Sequence, residues 1–263
     1  MTEARPVALV TGASRGIGLE LAKLFAADGY DLVIAADSDA IESATAELRR
    51  CGGAVVPVRA DLRTAAGVDS VYSAVTADGR TLAAAALNAG VGSGGAFVET
   101  DLEDTLSIVD LNVRSTVHLA KLVLTDMVRA DAGRLLLTSS VVSKMPGPYQ
   151  AVYNASKAFV QSFAEGLQGE LTGSRVTVTS LLPGATDTRF FERAHMLDTV
   201  LGQGPKDDPA AVAKDGYEAL MRGDRKVVAS SLLAKAMAAA NAVTPDVVKA
   251  AAHRVVARPG SGR

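Results

Sequence analysis

The sequence predicts an α/β protein with a doubly wound parallel sheet, on three observations. Short apolar runs without alternation, such as Val7-Ala8-Leu9-Val10, read as strands buried on both faces. Stretches with apolar residues at helical spacing separate these runs, as βαβ units require. Finally, Gly12, Asp37, Asp61, Asn88, Ser140 and Pro183 each fall just after a predicted strand. An open parallel sheet binds its ligands at those carboxyl ends.

Taken in order, the first strand covers 7–10 and breaks at Thr11-Gly12-Ala13-Ser14-Arg15-Gly16-Ile17-Gly18. A helical pattern with Leu21, Leu24 and Phe25 then runs to Ala27 and stops at Gly29. Residues 32–36 read as a second buried strand, 41–50 as a helix ended by Gly52-Gly53, and 54–58 as a third strand. A helix over 65–77, a strand over 82–87, a long helix over 102–129 and a fifth strand over 134–138 continue the alternation. A helix over 151–171 and a sixth strand over 176–181 complete it. Right-handed crossovers put the helices on both faces of the sheet. Beyond Pro183 the pattern loosens, with Phe190, Phe191, Met196 and Leu197 set among polar residues. A helix over 209–221 opens on proline, 226–229 reads as a short seventh strand, and helices follow over 232–242 and 246–256.

Composition excludes several classes of function. The 263 residues are 48% apolar and 21% charged, with net charge −2, so no basic excess points to nucleic acid. Cys51 is the single cysteine, which rules out a disulfide framework or a cysteine metal cluster and fits a reducing compartment. His118, His195 and His253 show no metal-ligand spacing. Residues 1–10 carry no leader pattern, and no run approaches the ~18 apolar residues of a membrane span. The expectation is a cytoplasmic protein without a membrane or nucleic-acid partner.

The glycine loop carries the first chemical signal. A strand running into Gly12-x3-Gly16-x-Gly18 and then a helix brings backbone N–H groups and a helix N-terminus against a pyrophosphate. Asp37 lies where an acid holds the ribose 2′-hydroxyl of NAD and repels the 2′-phosphate of NADP. Arg15 opposes that preference, since a guanidinium pairs well with a phosphate. Asp37, Ser38 or Asp39 can equally cap the next helix. Asp61 suits the adenine amino group or, again, a helix cap. Asn88-Ala89-Gly90 offers backbone contact with a ribose, glycine permitting close approach.

Tyr153 and Lys157 stand four apart on the predicted 151–171 helix, so hydroxyl and ammonium can converge on one ligand. A nearby cation favours the phenolate and moves a tyrosine towards use as a general acid or base. Ser140 comes back to the same sheet edge, with Ser139 and Ser143 as rival hydroxyls.

Thr11-Gly-Ala-Ser-Arg-Gly-Ile-Gly18, Asn88-Ala-Gly90, Asn112, Ser140, Tyr153-x3-Lys157 and Pro183-Gly184-x3-Thr188 together resemble the short-chain dehydrogenase/reductase family, of the short single-domain type. Two departures stand out: Leu87 replaces a second asparagine, and Asp37 falls one residue later than the usual NAD-selecting acid. The resemblance implies a Rossmann-like sheet of about seven strands in the order 3-2-1-4-5-6-7. It implies one NAD(P)-binding domain over 1–263, with a substrate loop at about 184–225 and a helical C-terminal extension at about 230–257. Tyr153 would be general acid in carbonyl reduction and base in alcohol oxidation. Lys157 would hold the nicotinamide ribose and lower the Tyr153 pKa, Ser140 would hydrogen-bond the substrate oxygen, and Asn112 would hold a proton-relay water. The cofactor NAD(P)(H) would touch Gly12, Ser14, Arg15, Gly16, Ile17 and Gly18 in the loop, then Asp37, Asp61, Leu62, Asn88, Ala89 and Gly90. Its nicotinamide end would meet Pro183, Gly184 and Thr188 as well as Tyr153 and Lys157.

Substrate contacts are expected from Ser140, Val142, Tyr149, Tyr153 and Phe190, and Met145, Phe191 and Met196 add to an apolar lining. That lining suits an apolar carbonyl or alcohol, although any lid needs such residues to pack. A homodimer or homotetramer through the long helix and the Tyr153 helix follows from the resemblance. The alternative is an NAD(P)-binding sensor of the same fold without turnover, for which an intact Tyr, Lys and Ser set would be unusual. A nucleotide-sugar dehydratase or epimerase would share Tyr-x3-Lys but resembles longer chains.

Overall fold

In the computed structural model, which describes residues 5–229 and 244–262, strand and helix alternate along most of the chain. The strands are β1 Val7–Thr11, β2 Asp31–Ala36, β3 Val55–Arg59, β4 Leu82–Leu87, β5 Gly133–Thr138, β6 Val176–Leu182 and β7 Lys226–Val228. They form one seven-stranded sheet in the order β3-β2-β1-β4-β5-β6-β7, with every pairing parallel. That is the predicted Rossmann-like topology.

The central strands are buried on both faces because helices cover each. On one side Ala8, Val10, Ile34, Leu136 and Leu181 pack with Leu21 and Phe25 of α1 (Gly16–Ala27) and Leu220 of α9 (Pro209–Arg222). On the other, Leu9, Val33, Leu135 and Leu137 meet Val71 of α3 (Ala65–Thr76), Val123 of α5 (Ser115–Arg129) and Val160 of α6 (Ala151–Glu170). Leu135, Leu136 and Leu137 are fully buried, each contributing roughly 1.5–3 kcal/mol. At the sheet edge β3 carries Pro57 and a largely exposed pattern, which an edge strand tolerates because it needs fewer ladder N–H groups.

Local differences from the sequence expectation have physical causes. The helix predicted over 102–129 divides into α4 (Leu102–Val109), a π-turn over Asp110–Arg114, and α5. Asn112 sits inside that turn, where a widened helix re-aims its side chain inward. The helix predicted over 41–50 is α2 (Ala40–Leu48), closed by a 3₁₀ turn into Gly52 at φ +85°. Residues 184–204, expected to be irregular, hold two one-turn helices, α7 (Phe190–Arg193) and α8 (Val200–Gln203), the latter capped by Thr199. The helix expected over 232–242 lies outside the described residues. A C-terminal helix spans Asp246–Ala257. No helix among the described residues is long and apolar enough to cross a membrane.

Candidate active site

At the carboxyl edge, β1 turns through Gly12 (φ +67°) and Gly16 (φ +58°), both in the left-handed region that glycine takes without strain. A Cβ on Gly12 would lie 3.1 Å from the Ala89 Cα, and one on Gly18 only 2.3 Å from the Gly12 carbonyl oxygen. The α1 N-terminus has Arg15 at its cap position, no side-chain cap and no acid in its first turn. Its N–H groups and positive dipole end therefore remain available to an anion. Ile17 packs back on the core. The Thr11 hydroxyl accepts from the Asn88 and Ala89 amides at 3.0 and 3.1 Å, and Thr138 donates to Asn88 Oδ1 at 3.2 Å. The ends of β1, β4 and β5 are thereby fastened together.

The ends of β2 and β3 resolve the capping alternatives. Asp39 occupies the α2 cap position without capping it and pairs with Arg59, which leaves Asp37 exposed and free of that duty. The Ser38 hydroxyl is buried with no partner among the described residues, an orphaned group that suits a ribose hydroxyl. Thr64, and not Asp61, caps α3 by accepting from Gly67 N at 3.0 Å. The Asp61 carboxylate accepts from Arg63 Nε at 2.8 Å, and this guanidinium holds it below the usual carboxylate range. Leu62 is buried beside it. Ser14, Arg15 and Gly16 face Asp187, Thr188 and Arg189 across a cleft of about 720 Å³. Arg15 acts electrostatically on Glu192 of α7. The Thr188 methyl lies 2.9 Å from where a Gly16 Cβ would be, so the segment after β6 rests on the glycine loop.

Tyr153 and Lys157 occupy the first turns of α6, and Ser140 follows β5. Ser140 Oγ accepts from Val142 N at 3.3 Å, donates to the Pro183 carbonyl at 3.4 Å, and stands within hydrogen-bonding reach of the Tyr153 hydroxyl. Ser139 instead donates to the Lys157 carbonyl at 2.9 Å, and the Ser143 hydroxyl is buried without a partner among the described residues. Of the three rival hydroxyls, Ser140 is the one that engages Tyr153.

Lys157 Nζ donates to the Thr138 carbonyl at 2.9 Å and lies 5.9 Å from the Tyr153 ring centroid. Burial pushes the Lys157 ammonium down to about 8. Burial also pushes Tyr153 up to about 12, against a downward pull from the Ser140 hydrogen bond. The expectation that Lys157 lowers Tyr153 is thus not met by the protein's own groups. The ammonium is turned to the Thr138 carbonyl, and desolvation is the larger effect. The Asn112 amide nitrogen donates to the Val91 carbonyl and Ser156 Oγ, both at 2.9 Å, and its Oδ1 accepts from Val91 N at 2.9 Å. The side chain braces the 91 loop against α6. A Cβ on Gly90 would lie 3.1 Å from Asn112 Oδ1 and 3.2 Å from Lys157 Nζ, so only glycine leaves this floor open.

Among the residues expected to contact substrate, the Phe190 ring centroid is 5.1 Å from that of Tyr153. Tyr149 and Phe190 join Phe191, Ala194, Met196, Leu201 and Ala257 in one apolar cluster. Val142 belongs to a different one, with Val141, Leu182 and Val228. Pro183 and Gly184 lead into this side directly from β6. The structure adds Thr138 and Asn154 to the site and gives Thr11, the first residue of the glycine motif, a bracing role. Thr11 and Thr138 had a usable signal, as each closes a strand beside a glycine or serine of interest. No group of His, Cys, Asp or Glu among the described residues is arranged to hold a metal.

Comparison with known proteins agrees with this geometry. Residues 6–196 match the profile of the short chain dehydrogenase family. The oxidoreductase UcpA of Salmonella typhimurium strain LT2 is 33% identical over 215 residues, covering 81% of this chain and 79% of that protein. A short-chain dehydrogenase from Sphingobium yanoikuyae, solved with NADPH, superposes with a TM-score of 0.78 at 31% identity, covering 90% of this chain and 93% of that one. A short-chain dehydrogenase/reductase from Burkholderia phymatum, solved with NAD, gives 0.78 at 26% identity, covering 85% and 88%. The chain belongs to the short-chain dehydrogenase/reductase family. It is an NAD(P)-dependent oxidoreductase that acts on CH–OH or C=O groups.

Proposed function

We propose that the protein interconverts a secondary alcohol and a ketone carrying an apolar substituent, with Tyr153 as the proton carrier. The observation that supports this reading is the meeting of Ser140, Tyr153 and Lys157 at one end of the sheet, beside an open glycine loop. When bound, the nicotinamide cofactor supplies or accepts the hydride. The α1 N-terminus and Gly12, Gly16 and Gly18 would hold its pyrophosphate, Asp37 and Ser38 its adenosine ribose, and Asp61 with Leu62 its adenine. Asn88 to Gly90, Pro183, Gly184 and Thr188 would border its nicotinamide half.

Ser140 donates a hydrogen bond to the substrate oxygen and steadies the charge that grows there during reduction. Tyr153, kept protonated by burial, gives its proton to that oxygen; in oxidation it removes the alcohol proton. Lys157 places a cation below the ring and orients the ribose hydroxyls. Segment 184–225 serves as the substrate lid, Phe190 lying over Tyr153. Tyr153→Phe should lower kcat by about 10³-fold or more with cofactor Kd unchanged, followed by nicotinamide absorbance on a panel of ketones and alcohols. Activity retained by this variant would remove Tyr153 from its role.

For the cofactor we infer a preference for NAD. Asp37 is exposed and lies outside the α2 cap position. Asp37→Arg should shift the ratio of kcat/KM values towards NADP by about tenfold or more. Equal use of both cofactors by the wild type would remove Asp37 as selector. We also infer a homodimer or homotetramer through α4, α5 and α6, where Leu102, Leu106, Val109 and Phe159 are exposed. Sedimentation as a monomer at assay concentration would overturn that.

A further inference from the structure

His253 takes no part in the chemistry above, yet it is 3% exposed. It lies in the C-terminal helix, and its Nδ1 is 3.0 Å from the Pro148 carbonyl oxygen. A carbonyl only accepts, so Nδ1 carries the proton. Nε2 is then a bare acceptor, and it has no partner among the described residues. Burial lowers the pKa of this ring, in keeping with its staying neutral. One helical turn earlier, Lys249 Nζ donates to the Lys144 carbonyl at 3.0 Å and pairs with Asp246. Residues four apart share a helix face, so His253 and Lys249 grip the chain at 144 and at 148 together.

The gripped segment leads into the proposed active site. Tyr149 holds φ +66°, a left-handed conformation that a bulky side chain adopts only when its surroundings impose it. The Pro148 carbonyl and the Tyr149 N–H share one rigid peptide plane. His253 fixes that plane, and the plane on the other side of Tyr149 is fixed by its carbonyl, which accepts from Gly95 N at 2.9 Å. Both backbone torsions of Tyr149 are thereby set. The ring is set with them, packed in the cluster with Phe190, Phe191, Met196 and Ala257. Asn154 Nδ2 steadies the same loop by donating to the Met145 carbonyl at 3.2 Å. Gln150 follows at once as the cap position of α6, three residues before Tyr153.

We propose that the C-terminal helix is a substrate-specificity element. His253, seconded by Lys249, is a positioning residue that pins the Pro148–Tyr149 peptide and holds the Tyr149 ring as a wall for the apolar substituent of the substrate. The assignment of a substrate wall rests on the oxidoreductase reading; the clamp itself does not.

Three substitutions in the full chain separate the hydrogen bond from the volume of the ring. In His253→Asn an amide nitrogen falls where Nδ1 does, in His253→Gln it falls where Nε2 does, and His253→Leu has no donor. Hydrogen exchange should quicken about tenfold or more at the Gly95 amide and at 149–151 in the Leu and Gln variants and stay near wild type in the Asn variant. KM for the best apolar ketone of the panel should rise about tenfold in the same two variants, with kcat and cofactor Kd within about twofold, and the Asn variant should restore it. Lys249→Met should show the same pattern more weakly and serves in place of any His253 variant that fails to fold. Unchanged exchange at Gly95 in both the Leu and Gln variants would overturn the clamp. Faster exchange with an unchanged KM would overturn its link to specificity. A wild type without turnover on the panel would strike the oxidoreductase reading, and the exchange measurement, which needs no substrate, would still decide the clamp.

Discussion

The glycine-loop edge and the segment after β6 meet at Gly16 and Thr188, but they are built in opposite ways. At the glycine loop Gly12 and Gly18 press on backbone, the Gly18 Cβ position facing the Gly12 carbonyl and that of Gly12 the Ala89 Cα, with the Asn88 side-chain nitrogen beside both. Across the cleft, in the loop after β4, Gly92 meets the Phe190 ring and Gly94 the Met196 side chain, while within the segment after β6 itself Gly202 packs tightly on the Met196 carbonyl. A backbone cradle is rigid and suits a ligand of fixed shape such as a pyrophosphate. A wall of Phe and Met can repack around different substituents. On the proposed function, the contrast lets one edge serve a common cofactor while the other varies its substrate.

The largest effect that bears on this contrast comes from adding one methyl to each side. Gly18→Ala puts a carbon 2.3 Å from a backbone oxygen, so α1 must move away from the loop. Overpacking of that kind costs about 1–3 kcal/mol, and cofactor affinity should fall by about a hundredfold as the N–H groups lose their aim. Gly94→Ala meets Met196 Cγ at 2.5 Å, the middle of a flexible side chain. Its cofactor Kd should stay within about twofold, while its melting temperature falls as the buried Met196 is displaced. Calorimetric titration and thermal unfolding of both variants measure this, and equal losses of affinity would mean that the two sides do not differ in rigidity.

A second, smaller effect is read from stability against pH. Burial lowers Lys157 from 10.5 to about 8, so between those values the unfolded chain binds a proton that the native protein has released. Stability contributed by this group therefore rises with pH across that window. Tyr153 is raised from 10.0 to about 12, so the native state keeps a proton that the unfolded chain loses, and its contribution falls from pH 10 upwards. The melting temperature of the cofactor-free protein should rise from pH 8 to pH 10 and then turn down. Lys157→Met removes the buried charge and should flatten the rise. A difference between wild type and variant that does not change with pH would mean the ammonium keeps its water.

The legibility of the two sides followed from the same contrast. Gly12, Gly16 and Gly18, and the Tyr153 and Lys157 pair, announce themselves because their roles depend on local spacing along one loop or one helix. β1, β2, β4 and β5 could be read because burial on both faces leaves near-continuous apolar runs. The edge strands β3 and β7 are exposed or half-buried over most of their length and are legible only from the alternation with helices. The π-turn at Asn112 could not be read, since it depends on Val91, a residue 21 positions away in another loop. Nor could the clamp of His253 on Pro148, which spans 105 positions and shows in the sequence only as an isolated histidine. Ser140 needed both kinds of information. Its place after β5 was clear, but its choice over Ser139 and Ser143 depended on where each hydroxyl points in space. The lowered Tyr153 pKa expected from Lys157 failed because spacing places two groups on one face without saying what else they touch, here the Thr138 carbonyl.

The smallest predicted effect tests whether the far wall really adapts. The Phe190 ring is half-buried over Tyr153, so Phe190→Ala should raise KM for an apolar ketone by only about three- to fivefold, with cofactor Kd unchanged. Gly92→Ala alone pushes on the same ring, its Cβ falling 2.5 Å from Phe190 Cζ. Combined with Phe190→Ala, that methyl has room and should restore part of the lost contact. The two substitutions should therefore couple, the double variant binding ketone better than the product of the single effects. Strict additivity in KM would mean that Phe190 and Gly92 do not share one yielding wall, and the contrast with the glycine loop would then rest on Met196 alone.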